Sequence, residues 1–159
     1  MSQPHRSATT AAGVRAEEGL DRTLSYRLHL LHKLTDMDSQ HAYLQQAGMT
    51  LSDGRCLATI GAFEPLSVKD LANKANLNKG QASRAAQTLV EQGLVSKQAS
   101  PTDSRGVVLT LTPQGREAFE RTMAVVNRRN EEIFGSLTAF ERLMLSTLFD
   151  RLIEHSRNL

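Results

Sequence analysis

The chain has 159 residues, of which 40% are hydrophobic and 23% charged, and its formal net charge is +2. These values indicate one ordinary globular domain, and a single cysteine, Cys56, excludes an internal disulfide framework. No apolar run approaches the roughly 20 residues that span a bilayer, and residues 1 to 18 lack the apolar core of a signal peptide. We therefore expect a cytoplasmic protein with no membrane partner.

Residues 1 to 18 are rich in Ser, Thr and Ala, which predicts a flexible N-terminal arm in which Arg6 and Arg15 could touch DNA or a partner. From about residue 17 to 46, apolar side chains recur at helical spacing in two stripes, which predicts a long helix with two packing faces. Gly48 ends it, and Thr50 caps a second helix that must stop before Pro65.

The segment from 67 to 115 carries the most specific pattern. Ser67 and Asn78 are N-cap residues of two short helices, and Gly93 ends the second. Two segments with β-branched residues, 94–97 and 107–111, are then predicted to be strands. The loop between them contains Pro, Asp and Gly, which favour turns. This order predicts a helix-turn-helix followed by a hairpin wing.

After the wing, Thr112 followed by proline predicts the start of another long helix, which ends near Gly135. Thr138 then caps a final helix with an apolar stripe from Phe140 to His155. The first and last helices would leave their stripes uncovered in a monomer, so we expect a homodimer.

Positive charge is concentrated in the motif. Residues 67 to 116 contain seven Lys/Arg and three Asp/Glu, a net charge of +4, while the remainder of the chain carries −2. A local positive field favours contacts with DNA phosphates. The absence of Trp and the few aromatic residues disfavour a stacking platform for single strands and leave duplex DNA open as the partner.

Five segments, 65–72, 78–84, 93–95, 103–105 and 109–115, resemble the corresponding motifs of the MarR family of bacterial winged-helix regulators. The resemblance covers nearly the whole chain after residue 18. It implies a mainly α fold with a small β-hairpin wing, in which the winged helix-turn-helix is flanked by N- and C-terminal dimerisation helices. It also implies an obligate dimer that binds a pseudo-palindromic duplex operator.

The expected organisation is a flexible arm over 1–18 and a single MarR-like domain over 19–159. Within that domain, 19–48 and 113–159 are the predicted dimerisation helices, and 49–112 is the predicted DNA-binding lobe. No cofactor is expected. The sequence also lacks a Gly-rich phosphate loop and the metal motifs CxxC and HExxH, so we predict that the protein is not an enzyme.

Residues 78 to 92 are predicted to enter the major groove, with Gln81 able to bond adenine through both amide atoms. Arg105, at the wing tip, resembles the family's minor-groove arginine, and Asp103 orients it, forms the turn, or does both. The full predicted DNA-binding set is Ser67, Lys79, Gln81, Ser83, Arg84, Gln87, Lys97, Asp103 and Arg105. Within it, Lys79, Ser67 and Lys97 are the expected phosphate contacts.

The resemblance further implies a small, often anionic aromatic effector that shifts the spacing of the two recognition helices and so releases a repressor from DNA. The predicted effector-binding residues are Tyr26, His29, His32, Asp53 and Arg55, of which Arg55 could pair with a carboxylate. A general likeness to repressors of nicotinate breakdown suggests a hydroxylated nicotinate, although no diagnostic residue supports that choice.

Three alternatives stay open on the sequence alone. His29, His32 and Asp36 lie roughly on one helical face, with His41 a turn further, which makes a transition-metal sensor conceivable. Cys56 could be a redox-sensing thiol if its thiolate were stabilised and accessible. A winged helix could also serve as a protein-interaction adaptor, which would bind no duplex DNA.

Overall fold

The computed structural model describes residues 19–159. The predicted arm, with Arg6 and Arg15, lies outside the described residues. Six α-helices and a hairpin are present: α1 (Leu24–Ala42), α2 (Leu51–Phe63), α3 (Val68–Lys74), α4 (Lys79–Glu91), β1 (Val95–Ala99), β2 (Val107–Leu111), α5 (Pro113–Phe134) and α6 (Ala139–Arg157). None of the helices formed by residues 19–159 has both the length and the apolarity needed to cross a membrane. The architecture is mainly helical with a hairpin wing, as predicted.

The first helix is shorter than expected. α1 begins at Leu24, after a single 3-10 turn over Leu20–Arg22, instead of near residue 17. The hydroxyl of Thr23 donates to the Leu20 carbonyl at 2.8 Å and accepts from the Tyr26 amide at 3.4 Å, which separates the two turns. At its other end the helix widens into a π-helical turn over Tyr43–Ala47 before Gly48 ends it at φ +68°.

The chain divides into two compact units, with the boundary between Leu34 and Thr35 inside α1. The first unit contains the N-terminal part of α1. The second contains the remainder of α1, α2 to α6 and the wing. The assignment of 19–48 and 113–159 to dimerisation and of 49–112 to DNA binding stays a prediction.

Side-chain caps begin the helices where the sequence predicted. In α2 to α6, the side chain of the N-cap residue accepts a hydrogen bond from the backbone N–H three positions later; these residues are Thr50, Ser67, Asn78, Thr112 and Thr138. Between α3 and α4, Asn76 takes a left-handed conformation at φ 56°, which asparagine tolerates in tight turns. These local signals therefore fix the element boundaries around the motif.

The core of the second unit lies between α2, α3, α4, the hairpin and the N-terminal part of α5. Its fully buried side chains include Leu57, Ile60, Leu71, Leu89 and Leu109. α5 approaches the wing so closely that a Cβ on Gly115 would lie 1.8 Å from the Leu94 carbonyl oxygen. Only glycine fits there, and the close approach holds the base of the wing against α5.

The wing is an antiparallel hairpin in which Val95 pairs with Leu111 and Ala99 with Val107. β1 extends beyond the predicted end at residue 97. A single bridge adds Leu66, just before α3, to the other edge of β2, because Leu109 donates to the Leu66 carbonyl at 2.8 Å. One bridging residue leaves no alternating pattern in the sequence, so this pairing was not predicted.

The apolar faces of α1 and α6 are exposed. Among the described residues, α6 has no buried side chain, and its large exposed apolar residues are Phe140, Leu143, Met144, Leu148, Phe149, Leu152 and Ile153. On α1, Leu24, Leu28 and Leu34 are also exposed. The sequence predicted that a second copy of the chain covers these apolar stripes.

Candidate nucleic-acid interface

α4 is strongly amphipathic, which separates its two roles. Ala82, Ala85, Ala86 and Leu89 are buried in the core. The predicted DNA-facing side chains of this helix are all exposed; they are Lys79, Gln81, Ser83, Arg84 and Gln87. Packing of the small alanine face brings the helix close to its neighbours and leaves the polar face free for a partner.

The first turn of α4 is closed by a reciprocal capping box. The Gln81 amide donates to Asn78 Oδ1 at 2.8 Å, and the Asn78 amide donates to Gln81 Oε1 at 3.1 Å. The side-chain oxygen of Gln81 is therefore engaged within the protein. The bidentate bond to adenine that the sequence suggested would need this same oxygen.

A polar chain links the wing to the recognition helix. Lys97, on β1, donates from Nζ to Gln87 Oε1 at 3.1 Å, and Gln87 Nε2 donates to Glu91 Oε1 at 3.0 Å. Lys97 and Gln87 are thus brought together, and both remain exposed. The sequence predicted the two residues as separate DNA contacts, because ten positions separate them along the chain.

The wing tip is ordered by its own polar groups. Asp103 Oδ1 accepts from the backbone amide of Arg105 at 3.0 Å, and Ser100 Oγ accepts from the amide of Asp103 at 3.2 Å. Asp103 therefore acts on Arg105 through the backbone, as in an Asx turn. The Arg105 side chain is exposed at the tip.

At the N-terminus of α3, the Ser67 hydroxyl accepts from the Asp70 amide at 3.1 Å and is partly exposed. This cap occupies one of the lone pairs of the hydroxyl.

Glu64 was missed by the sequence reasoning. Its Oε2 accepts from the Leu111 amide at 2.7 Å, and its Oε1 pairs with Arg116 at 2.5 Å. Glu64 thereby braces the end of β2, and it neutralises one of the basic residues counted in the motif. A separation of 52 positions between Glu64 and Arg116 leaves no local signal.

The predicted effector residues fall into two groups. Tyr26, His29 and His32 lie along one open concavity of the first unit, together with Leu20 and Leu30.

In the second unit, Asp53 and Arg55 lie on α2. Arg55 Nη2 forms an ion pair with Asp36 Oδ1 at 2.8 Å, and the Arg55 side chain is 41% exposed. The sequence had considered Asp36 only as a metal ligand.

Two observations concern the metal and redox sensors that the sequence left open. Within residues 19–159, no group of three or more His, Cys, Asp or Glu side chains could hold a metal ion. Cys56 is fully buried, and burial together with the nearby Asp53 carboxylate raises the pKa of its thiol to about 12. The thiolate that a redox sensor needs is therefore disfavoured.

Comparisons with known proteins agree with this geometry. Residues 47–106 match the model of the MarR family. The chain is 28% identical over 109 residues to the transcriptional regulator BilQ of Clostridium symbiosum, covering 69% of this chain and 76% of BilQ. It is also 28% identical over 111 residues to the transcriptional repressor Rv2887 of Mycobacterium tuberculosis, covering 70% and 80% of the two chains.

Solved structures show the same fold. A structure of Rv2887 aligns with a TM-score of 0.66 and 27% identity, covering 82% of this chain and 98% of that one. BpsR of Bordetella bronchiseptica aligns with a TM-score of 0.66 at 19% identity, covering 79% and 98%. The motif, the wing and these similarities together lead to one conclusion: the chain is similar in sequence and fold to the MarR family of winged helix-turn-helix transcriptional regulators, whose members bind DNA and are not enzymes.

Proposed function

We propose that this regulator is a homodimeric repressor that binds a pseudo-palindromic duplex operator and is released by a small aromatic carboxylate. The observation that carries the proposal is the exposed polar face of α4, with no acidic residue in its first turn, beside a wing whose tip presents Arg105. Repression is supported by the similarity to Rv2887, which is a transcriptional repressor.

On DNA, residues 78 to 92 lie in the major groove, where Gln81, Ser83 and Arg84 face the base edges. Lys79 and Ser67 hold phosphates, which set the register without reading sequence. Lys97 holds Gln87 in place and contributes its charge to the same surface. Arg105 enters the minor groove, where narrow A·T-rich sequence deepens the negative potential.

The exposed apolar stripe of α6 supports the proposal of a homodimer. An apolar surface of this kind on one chain is stabilised when a second copy covers it, and a two-fold axis then presents two α4 helices to two half-sites. The operator is accordingly expected to be a pseudo-palindrome.

DNA binding is tested by selecting duplexes from a random library and titrating the selected site with Arg84→Ala and Arg105→Ala. Loss of a phosphate or groove contact lowers affinity and reduces the slope of log K against log salt by about one per contact. Arg157→Ala, on α6, is the control and leaves both unchanged. If no duplex is enriched, a protein-interaction adaptor replaces the regulator as the better hypothesis.

The effector is proposed from the chemistry of Arg55. Related structures hold aromatic carboxylates: Rv2887 has been solved with p-aminosalicylic and salicylic acid, and DNA binding of BpsR is regulated by 6-hydroxynicotinic acid. The half-exposed Arg55 guanidinium already holds the Asp36 carboxylate, so an incoming carboxylate can replace it. Asp53, also on α2, remains a candidate effector contact, and Tyr26, His29 and His32 of the first unit remain candidates in their own right.

Calorimetric titration with salicylate and with 6-hydroxynicotinate tests this proposal. Arg55→Lys keeps the charge but loses the planar fork, and should weaken binding at least about tenfold. Methyl salicylate, which lacks the carboxylate, is the matched control ligand. Equal binding of the acid and the ester, or by Arg55→Lys and the native protein, would remove Arg55 from the site.

A further inference from the structure

The Gln81 side chain closes the capping box of α4 and is also a proposed DNA contact. Its place in the capping box limits which of its atoms can contact DNA. The Asn78 backbone group is an N–H donor, so the amide atom that faces it at 3.1 Å must be the oxygen of Gln81. Rotating the amide by half a turn would set the NH₂ group against another donor. The cap therefore takes one lone pair of the oxygen and fixes the direction of the amide, and Nε2 is the donor group that the exposed side chain offers to a partner.

The neighbours of Gln81 reinforce this donor character. Lys79 and Arg84 have only N–H donors on their side chains. Gly80, between Lys79 and Gln81, has no side chain, and the first turn of α4 contains no acidic residue. The side chains on either side of Gln81 thus present N–H donors to the groove, and its own acceptor, Oε1, is already hydrogen-bonded to the cap.

We propose that Gln81 specifies guanine at one base pair of each half-site, by donating from Nε2 to guanine O6 or N7. Guanine is the base whose major-groove edge has two acceptors and no donor, whereas adenine pairs best with a side chain that offers both an acceptor and a donor. The inference rests on the proposed DNA-binding function and deepens it. It replaces the adenine contact that the sequence suggested.

The decisive variant is Gln81→Glu. A glutamate at this position of the capping box still accepts from the Asn78 amide, so the helix start is preserved. Its second oxygen is an acceptor, which matches the cytosine amino group. Selection from a random-sequence duplex library should therefore give guanine at one position of each half-site for the native protein and cytosine there for the variant, with about tenfold discrimination.

Two further variants complete the test. Gln114→Glu, exposed in the first turn of α5, makes the same charge change away from α4 and should leave the selected sequence unchanged. Gln81→Ala should lose the preference at that position without acquiring a new one, and it tests the inference even if Gln81→Glu is repelled by DNA. Thermal unfolding confirms that each variant is folded.

Distinct results would overturn distinct statements. Adenine at the position that Gln81→Ala relaxes would contradict the donor-only contact. An identical selected sequence for the native protein, Gln81→Glu and Gln81→Ala would show that Gln81 is only a cap. If the native protein selects no sequence at all, the proposed function fails and the inference falls with it.

Discussion

α4 and α6 start in the same way and end in different environments. Each begins with a reciprocal capping box, formed by Asn78 with Gln81 and by Thr138 with Glu141. Each has an apolar face. The face of α4 is buried in the core, whereas the described residues of α6 include no buried side chain.

The comparison shows that an amphipathic pattern predicts which face of a helix needs to be buried. It does not predict whether the same chain or a partner buries that face. α4 packs small residues, Ala82, Ala85 and Ala86, against its own chain. α6 presents large residues outward and is tied to α5 at its first turns by Arg142, which pairs with Glu131 at 2.9 Å. Four predictions sharpen the contrast, in order of decreasing effect.

The largest effect is expected from Leu148→Glu with Leu152→Glu. Two carboxylates in the centre of the α6 stripe cannot be buried against a second copy without a cost of several kcal/mol. Sedimentation equilibrium should give the 17.5 kDa monomer, with operator binding lost. Arg157→Glu makes the same change in net charge near the end of α6 and should leave the dimer intact. A dimeric double variant would contradict the proposed interface.

Next is Leu89→Ala, which opens a cavity beneath α4. Leu89 is fully buried, so the free energy of unfolding should fall by about 2–5 kcal/mol in urea denaturation. Leu143→Ala, on the exposed face of α6, is the matched deletion. Measured in the monomeric Leu148→Glu/Leu152→Glu background, it should change the free energy by no more than about 0.5 kcal/mol. Equal effects would mean that the α6 face is also buried by its own chain.

A smaller effect is expected from Gly80→Ala in the first turn of α4. A Cβ there would have its nearest neighbours, Arg84 Nη1 and Asn78 Oδ1, at 3.4 Å, an ordinary contact distance. Alanine is a better helix former than glycine, so the free energy of unfolding should rise by about 0.5–1 kcal/mol. Urea denaturation measures it. A decrease would show that the first turn is strained by any side chain.

The smallest effect is expected at Glu141. This residue has the same position in the capping box of α6 that Gln81 has in the capping box of α4. Hydrogen bonds from the Thr138 backbone amide and hydroxyl lower the pKa of the Glu141 carboxyl below its usual value. The folded state stabilises the ionised carboxylate of Glu141. Its contribution to the free energy of unfolding is therefore present at neutral pH and is lost as the pH falls through the lowered pKa.

The melting temperatures of the native protein and Glu141→Gln should therefore converge between pH 7 and pH 3, since the amide does not titrate. Glu154→Gln, exposed on the same helix, is the control, and its difference from the native protein should not show this convergence. A difference that is constant with pH for Glu141→Gln would contradict the assignment.

Much of the fold could be predicted because its signals are local. Caps such as Ser67 and Asn78 and the proline after Thr112 define helix starts within a few residues. The exposed polar face of α4 also followed from spacing alone. The start of α1 was predicted too early, since the apolar spacing of Leu20 and Leu24 concealed the turn made by Thr23.

The sequence by itself determined the order of elements and the exposed polar face of α4, because short-range hydrogen bonding and periodicity specify them. The tertiary structure alone decided which polar groups are already engaged: Arg55 with Asp36, Glu64 with Arg116 and Lys97 with Gln87. Such partners are distant along the chain, and chain folding brings them together. The hydrogen bond that Gln81 Oε1 accepts within its cap belongs with them, since atomic geometry decides how that side chain is oriented.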